Sequence, residues 1–211
     1  FPPRPASSFR HSINAVAPDR AGLPQNLTLQ GRQRAGMPRA RSNERLYMTK
    51  FSDLGLNPLL MRAIAEEGYE TPTPIQAQAI PLLLEDKDLL GIAQTGTGKT
   101  AAFALPTLDF MLEYPQKRRA RSARVLVLAP TRELAGQIAE SFRTYSRHMD
   151  CNVQTVFGGV NIKTQRRALQ GGADVLVATP GRLLDLVGQK AVSLKEVEVL
   201  ILDEADQMLD M

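Results

Sequence analysis

Two hydrophobic spacings alternate along the chain from Phe51 onward. Short runs rich in Leu and β-branched residues, without polar alternation, are typical of strands buried on both faces of a parallel sheet. These runs lie at 88–93, 124–129, 153–157, 173–178 and 197–202. Before and between them the spacing is helical, at 56–67, 74–84, 99–112, 132–148, 163–170 and 181–187. This order predicts a doubly wound, mostly parallel α/β domain with its ligand site at the carboxyl ends of the strands.

Residues 1–47 do not follow this pattern. They are rich in Pro, Ser, Gln, Asn and Arg, show no sustained period, and cannot bury enough apolar surface to offset the entropy of ordering. We interpret them as a disordered basic leader. An organelle transit peptide and a basic RNA-binding arm are alternatives. Because Met48 resembles a natural start, the favoured hypothesis is upstream sequence or a dispensable tail.

Charge and composition narrow the class of protein. The 211 residues carry a net charge of +4, but the leader alone carries eight Arg against two acidic residues, which leaves −2 for the remainder. The basic balance is therefore a poor indication of a nucleic-acid partner for the domain. No apolar run of about 18 residues predicts a membrane span. One cysteine, Cys151, excludes a disulfide framework within the chain and is typical of a reducing cytosol.

The segment AQTGTGKT at 93–100 lies between a predicted strand and a predicted helix. Such a loop turns backbone N–H groups toward a phosphate, and the helix N-terminus adds positive potential. Gly96 and Gly98 permit close backbone approach, Lys99 can reach the β- and γ-phosphates, and the Thr100 hydroxyl can ligate Mg²⁺. Ala93 replaces the first glycine of the usual pattern. The alternative is a purely structural helix start.

An acidic cluster follows the last predicted strand, at Asp203, Glu204 and Asp206. In a parallel sheet it faces the same edge as the phosphate loop. Asp203 can then hold Mg²⁺ while Glu204 orients and deprotonates an attacking water. The alternative is that Asp203 or Asp206 caps the helix that follows.

With the motifs DEAD at 203–206 and AQTGTGKT at 93–100, the chain resembles the DEAD-box family of ATP-dependent RNA helicases. The sequences of these motifs are similar to those of the bacterial RhlE type. Other motifs occur in the family's order. Phe51, Gly68-Tyr69 and TPTPIQ at 71–76 resemble the adenine-recognition segment. PTRELA at 130–135, GG at 158–159 and TPGR at 179–182 resemble three RNA-backbone motifs. Ala93 in place of glycine is usual in this family.

The resemblance implies ATP and Mg²⁺ as cofactors and assigns site residues. Those implied for nucleotide binding are Phe51, Tyr69, Thr71, Gln76, Ala93, Gln94, Thr95, Gly96, Thr97, Gly98, Lys99 and Thr100. Those implied for RNA are Pro130, Thr131, Arg132, Gly158, Gly159, Thr179, Gly181 and Arg182. Lys99, Asp203 and Glu204 are the catalytic residues, Thr100 and Asp203 are the metal ligands, and Asp206 couples the domains.

Physical chemistry supports several of these roles. The Gln76 amide can pair with the amino group and N7 of adenine, which guanine cannot match. Tyr69 is the candidate for stacking on the base, whereas Phe51 is equally well explained as a core anchor. Helix starts, hydroxyls and Arg forks bind phosphates without reading bases, so RNA recognition should be independent of sequence. The basic run at 117–124 is either a solvated loop or an auxiliary RNA contact.

We therefore expect three segments: the leader at 1–47, an adenine-recognition helical segment at 48–86, and a RecA-like P-loop domain at 87–211. In the family, a Ser-Ala-Thr strand and a second RecA-like domain follow. The Ser-Ala-Thr strand lies between the phosphate-loop strand and the Asp203 strand, so we expect a sheet that is incomplete at the C-terminus and lacks this central strand. The chain alone should then be poorly stable and inactive. The full protein is expected to be a cytoplasmic RNA helicase, with a DNA helicase or a non-catalytic ATP- and RNA-binding fragment as alternatives.

Overall fold

The computed structural model describes residues 11–16, 50–92 and 96–210. Their strands form one six-stranded sheet in which every neighbouring pair is parallel. The strands are β1 (His11–Val16), β2 (Leu89–Ile92), β3 (Ala123–Leu128), β4 (Val153–Val156), β5 (Ala173–Ala178) and β6 (Val199–Asp203). Their order across the sheet is β2-β1-β6-β3-β5-β4.

The helices precede, connect and follow these strands. A 3₁₀ turn at Phe51–Leu54 comes before α1 (Pro58–Glu66), α2 (Pro74–Leu84), α3 (Lys99–Glu113), α4 (Arg132–Tyr145), α5 (Ile162–Ala168), α6 (Pro180–Gly188) and α7 (Ala205–Leu209). Pro58 opens α1, where its missing N–H and fixed φ suit the first helical position, and the Asn57 side chain caps the same end by accepting from the N–H of Leu59 at 3.0 Å.

Helices cover both faces of the sheet. Val125 and Val127 of β3 belong to the apolar cluster that α1 to α4 bury, whereas Leu126, on the opposite face of the same strand, belongs to a second cluster with Leu183 and Leu186 of α6. This alternation follows from the two-residue period of a strand. The predicted doubly wound α/β domain is confirmed.

Strand β1 corrects two expectations. The leader was expected to have no regular structure, and the sheet was expected to lack a strand between the phosphate-loop strand and the Asp203 strand. The structure places His11–Val16 at that position, parallel to both neighbours, with Ile13 in register with Leu89 on one side and Ile201 on the other.

The physical reason lies in the backbone groups of β2 and β6 that face each other across the sheet. Two strands separated by an empty position present unpaired N–H and C=O groups, and a short extended segment of the same chain satisfies both rows. The polar and apolar alternation at 12–15 is too short to register as a sustained period. Residues 1–10 and 17–49, which carry the rest of the leader prediction, lie outside the described residues.

Other differences concern only the ends of elements. Helix α4 ends at Tyr145 rather than at residue 148, and the following turn is closed by a hydrogen bond from the N–H of Met149 to the carbonyl of Ser146 at 3.0 Å. In the part of the chain that the structure covers, no helix combines the length and the apolar character needed to cross a membrane.

Candidate functional site

The phosphate loop and the acidic cluster lie at the same edge of the sheet. β2 leads into the loop and β6 ends at Asp203, and both strands are parallel to β1 between them. Gly96 (φ +83°) and Gly98 (φ +87°) both have left-handed backbone conformations. Such φ values are strained for any residue with a side chain, which explains the glycines. Ala93, Gln94 and Thr95 lie outside the described residues.

Three polar atoms of charged side chains in the described part of this edge are buried without hydrogen-bonding partners. Among the residues that the structure describes, Lys99 Nζ, Asp203 Oδ1 and Asp206 Oδ1 are inaccessible to solvent and make no hydrogen bond. Burial raises the pKa of Asp203 to about 6, although Lys99 opposes this rise. Buried ionic groups are normally paired or hydrogen-bonded. The arrangement is therefore that of a site which a charged ligand completes.

The acidic turn after β6 has an unusual backbone. Glu204 adopts a left-handed conformation with φ +53° and ψ +50°, which is uncommon for a residue with a side chain. It is Glu204 that occupies the N-cap position of α7, and its side chain makes no capping hydrogen bond. Helix capping therefore does not explain the carboxylates of Asp203 and Asp206, and that alternative is wrong.

Gln76 is buried against the phosphate loop. Only 6% of this residue is exposed; its Oε1 accepts from the N–H of Thr73 at 2.9 Å, and its Nε2 donates to the carbonyl of Gly98 at 3.1 Å. Gln76 is thus not a solvated helix residue. A β-carbon at Gly98 would lie 2.5 Å from Gln76 Nε2, so a side chain at this position would displace the buried Gln76 amide from its hydrogen bonds.

The two aromatic candidates differ in exposure. Tyr69 is 46% exposed, so its ring is available to a base. Phe51 is 2% exposed and lies in the first apolar cluster. The structure therefore supports the core-anchor interpretation of Phe51. Thr71 is exposed in the turn that joins Tyr69 to α2.

The three predicted RNA-backbone motifs follow the carboxyl ends of three neighbouring strands. Thr131 caps α4 after β3, and its hydroxyl accepts from the N–H of Leu134 at 3.2 Å. Pro130 before it is buried. Gly158 and Gly159 follow β4, whereas Thr179 follows β5 at the N-cap of α6. Gly181, in the first turn of α6, is exposed. Since the sheet order is β3-β5-β4, the motifs form one continuous edge.

Side chains join these motifs to one another. Arg132 reaches the glycine pair: a β-carbon at Gly159 would lie 3.2 Å from Arg132 Nη1. Arg182 Nη1 donates to the carbonyl of Val160 at 2.9 Å and to Gln165 Oε1 at 3.0 Å. Arg182 therefore braces the loop that carries the glycine pair.

Sequence reasoning missed Gln165. It is buried in α5, its Nε2 donates to the carbonyl of Phe157 at 3.0 Å, and its Oε1 accepts from Arg182. It thereby ties the β4 loop to the third motif. A single polar residue in a short helix gives no sequence signal for this role, because its partners lie elsewhere along the chain.

The basic run at 117–124 forms ion pairs away from this edge. Arg118 pairs with Asp150 at 2.7 Å, Arg119 pairs with Glu196 at 2.7 Å, and Arg124, near the start of β3, pairs with Glu198. Because β3 begins at the opposite end of the sheet from the acidic cluster, these cations are on the other edge of the domain. The structure thus gives them partners within the domain.

A left-handed glycine loop after a strand, a lysine at the start of the next helix and a carboxylate that ends a parallel strand define a P-loop nucleotide-binding domain. Residues 73–211 match the family described as DEAD/DEAH box helicase, and the chain belongs to this family.

Relatives and a solved structure agree with this assignment. The chain is 50% identical over 164 residues to the DEAD-box ATP-dependent RNA helicase CshA of Streptococcus pneumoniae, covering 77% of this chain and 30% of the relative. It is 48% identical over 169 residues to the ATP-dependent RNA helicase DeaD of Escherichia coli, covering 78% and 26%. The crystal structure of the yeast DEAD-box splicing factor Prp28 matches with a TM-score of 0.71 and 37% identity, covering 77% and 40%.

These comparisons confirm the parallel RecA-like α/β fold and the predicted family. The chain spans 26–40% of the length of the three proteins. Assignment to the RhlE type stays a prediction.

Proposed function

We propose that this chain is the ATP-binding part of an ATP-dependent RNA helicase, in which ATP hydrolysis drives local separation of RNA duplexes. One observation carries the proposal: the unpartnered, buried Lys99 Nζ and Asp203 Oδ1 lie at the same sheet edge as the three predicted RNA-backbone motifs. The names of CshA and DeaD, both ATP-dependent RNA helicases, support it.

The nucleotide would bind along the edge formed by the phosphate loop and α2. Backbone N–H groups around Gly96 and Gly98 and the ammonium of Lys99 would hold the phosphates. Tyr69 would stack on the adenine, and Gln76 would recognise its amino group and N7. Because Gln76 already contacts Gly98, base recognition and the geometry of the phosphate loop would share one side chain.

Thr100 and Asp203 are the residues that would hold Mg²⁺. A hydroxyl and a carboxylate are the hard oxygen donors that this ion prefers, and no cluster of three or more His, Cys, Asp or Glu side chains suited to a metal occurs in the described part of the chain. Mg²⁺ takes few ligands from the protein and the rest from water and phosphate oxygens, and the buried, unpartnered Asp203 Oδ1 fits one such ligand. When bound, Mg²⁺ would neutralise phosphate charge.

Glu204 would act as the general base. It follows the metal-binding Asp203 directly, and its left-handed backbone turns the chain sharply as it leaves the strand. Its carboxylate would accept a proton from the water that attacks the γ-phosphate, while Lys99 would stabilise negative charge on the transferred group. Asp206, on the first turn of α7, would contact a second domain.

RNA would lie across the edge formed by the three motifs. Thr131, Arg132, Thr179 and the exposed Gly181 offer hydroxyl, guanidinium and backbone donors to phosphates, and the glycine pair would allow close approach of the strand. Because these groups would be engaged by phosphates rather than by base edges, binding would be independent of sequence.

The complete protein would require a second RecA-like domain and would act in the cytoplasm. Support for the second domain comes from the greater length of the relatives. The single cysteine is consistent with a reducing compartment.

The test is ATP hydrolysis by the full-length protein with and without single-stranded RNA of two unrelated sequences. We expect hydrolysis that either RNA stimulates and that GTP does not replace. Hydrolysis that is indifferent to RNA, or that uses GTP equally well, would overturn the proposal.

A further inference from the structure

Residues at the carboxyl end of α4 contact the segment that carries Tyr69. Arg147, just beyond α4, forms ion pairs with Glu66 at 3.4 Å and with Glu67. His148 Nε2 lies 2.9 Å from the same Glu66 carboxylate, and its proximity lowers the pKa of Glu66. Glu66 ends α1 and Glu67 is its C-cap, so these contacts fix the chain two and three residues before Tyr69.

Backbone hydrogen bonds at the end of α1 fix the conformation of the segment that these ion pairs contact. Gly68 has φ +74° and donates to the carbonyl of Ala65 at 3.0 Å, while the N–H of Tyr69 donates to the carbonyl of Ile64 at 3.1 Å. This is a Schellman ending of α1, which fixes where the chain leaves the helix. The position of Tyr69 therefore depends on how α1 is oriented at its carboxyl end.

Buried contacts continue the same interface. Tyr145, the last residue of α4, is 7% exposed, and burial, with Tyr69 and Glu67 nearby, raises its pKa to about 12. The neutral phenol of Tyr145 thus lies next to the Tyr69 side chain, and the ion pairs of Arg147 lie nearer the protein surface. Tyr69 itself remains 46% exposed.

We propose that Arg147 and His148 are positioning residues for adenine binding, which hold the end of α1 so that Tyr69 is preorganised to stack on the base. This inference rests on the proposed function, because it presupposes that an adenine nucleotide binds beside Tyr69. It adds residues that touch neither the nucleotide nor RNA, and it assigns the carboxyl end of α4 a role distinct from that of its amino end.

The positioning role predicts a loss that is specific for the base. Arg147→Gln removes both ion pairs of the guanidinium and should weaken binding of a ribose-labelled fluorescent ATP about two- to fivefold, the scale of partly exposed ion pairs. Binding of inorganic tripolyphosphate, measured by displacement of that probe, should not change. In RNA-stimulated hydrolysis the KM for ATP should rise while kcat stays the same, since a contact made equally in both states was lost.

Three further variants serve as controls for this test. Arg143→Gln is the matched control, because Arg143 lies one turn earlier on α4 and contacts Glu140 and the carbonyl of Val153 rather than α1; it should bind ATP as the wild type does. In a Tyr69→Ala background, Arg147→Gln should cause no further loss, because the ring through which it acts is absent. The charge exchange of Glu67→Arg with Arg147→Glu should restore part of the affinity, because it regains the pair at position 67 but not the pair with Glu66.

The outcomes separate the two proposals. If the wild-type full-length protein binds neither ATP nor tripolyphosphate, the proposed function fails. If the wild type binds ATP and Arg147→Gln binds it equally well, or loses tripolyphosphate affinity to the same extent, only the positioning role fails. An undiminished effect of Arg147→Gln in the Tyr69→Ala background would also overturn it.

Discussion

The Nε2 atom of Gln76 donates a hydrogen bond to the carbonyl of Gly98 at 3.1 Å and thereby joins helix α2 to the phosphate loop. The two residues are 22 positions apart, and the amide is buried while its Oε1 accepts from the N–H of Thr73. One side chain thus closes the start of its own helix and touches the loop that binds phosphate. This geometry makes the loop sensitive to any atom added at Gly98.

Gly98→Ala should therefore disable the loop. Its β-carbon would lie 2.5 Å from Gln76 Nε2, and the residue would keep a strained φ of +87°. We expect ATP affinity to fall at least about tenfold, and stability to fall by about 1–3 kcal/mol, as for a residue held in an unfavourable region. Fluorescence titration and denaturant unfolding measure the two effects.

Gly96→Ala is the control for this prediction. Gly96 has a similar φ of +83°, but a β-carbon there would meet no atom within 4 Å among the described neighbours. It should show the backbone strain without the clash, and so a smaller loss of ATP affinity. Equal losses in the two variants would contradict the role given to the Gln76 contact.

Asp203→Asn should stabilise the protein in the absence of nucleotide. Burial raises the pKa of Asp203 from its usual range to about 6, so the folded state binds a proton more readily than the unfolded state. The charged form therefore destabilises the fold as the pH rises from about 4 through 6. Removing it should add about 3 kcal/mol at pH 7.5, and the gain should shrink toward zero near pH 4.

Urea unfolding at several pH values measures this gain. Asp210→Asn is a suitable control, because Asp210 is an exposed acid near the same turn; its effect should stay within about 0.5 kcal/mol. A pH-independent difference between Asp203→Asn and the wild type would show that the buried charge is not its cause.

Substitution of two arginines should separate RNA contact from loop support. The Arg132 side chain is 60% exposed and pairs with its exposed neighbour Glu133, so Arg132→Gln should leave stability unchanged. It should weaken RNA binding and reduce the slope of log affinity against log salt by about one.

The Arg182 side chain is only 14% exposed and donates to Val160 and Gln165. Arg182→Gln should therefore lose about 1–3 kcal/mol of stability in addition to RNA affinity. Anisotropy titrations with labelled RNA and thermal unfolding distinguish the variants. Matching stability losses for both arginines would contradict the distinction.

Much of the fold could be predicted because buried parallel strands have a strong local signature. The five apolar runs correspond to β2 to β6, and the phosphate loop and acidic turn follow the strands that the motifs predicted. β1 could not be predicted in this way, because its position depends on unpaired edges of β2 and β6, which no local pattern of six residues records.

The roles of individual site residues also depend on tertiary contacts that a local sequence pattern does not record. Tyr69 and Phe51 are both aromatic and lie in one segment, and only the packed core shows that Phe51 is buried and Tyr69 exposed. The contacts of Arg182 with Gln165 and of Arg147 with Glu67 join residues from distant parts of the chain. Such tertiary pairings have no sequence spacing to reveal them, whereas the glycine and acidic motifs are local and do.

The most direct test of the central claim is hydrolysis of ATP by the full-length protein and its Glu204→Gln variant under single-turnover conditions with saturating RNA. If Glu204 is the general base, the variant should bind ATP and RNA as the wild type does but hydrolyse ATP about 10² to 10⁴ times more slowly. Hydrolysis at the wild-type rate by Glu204→Gln, with both ligands bound, would contradict the account.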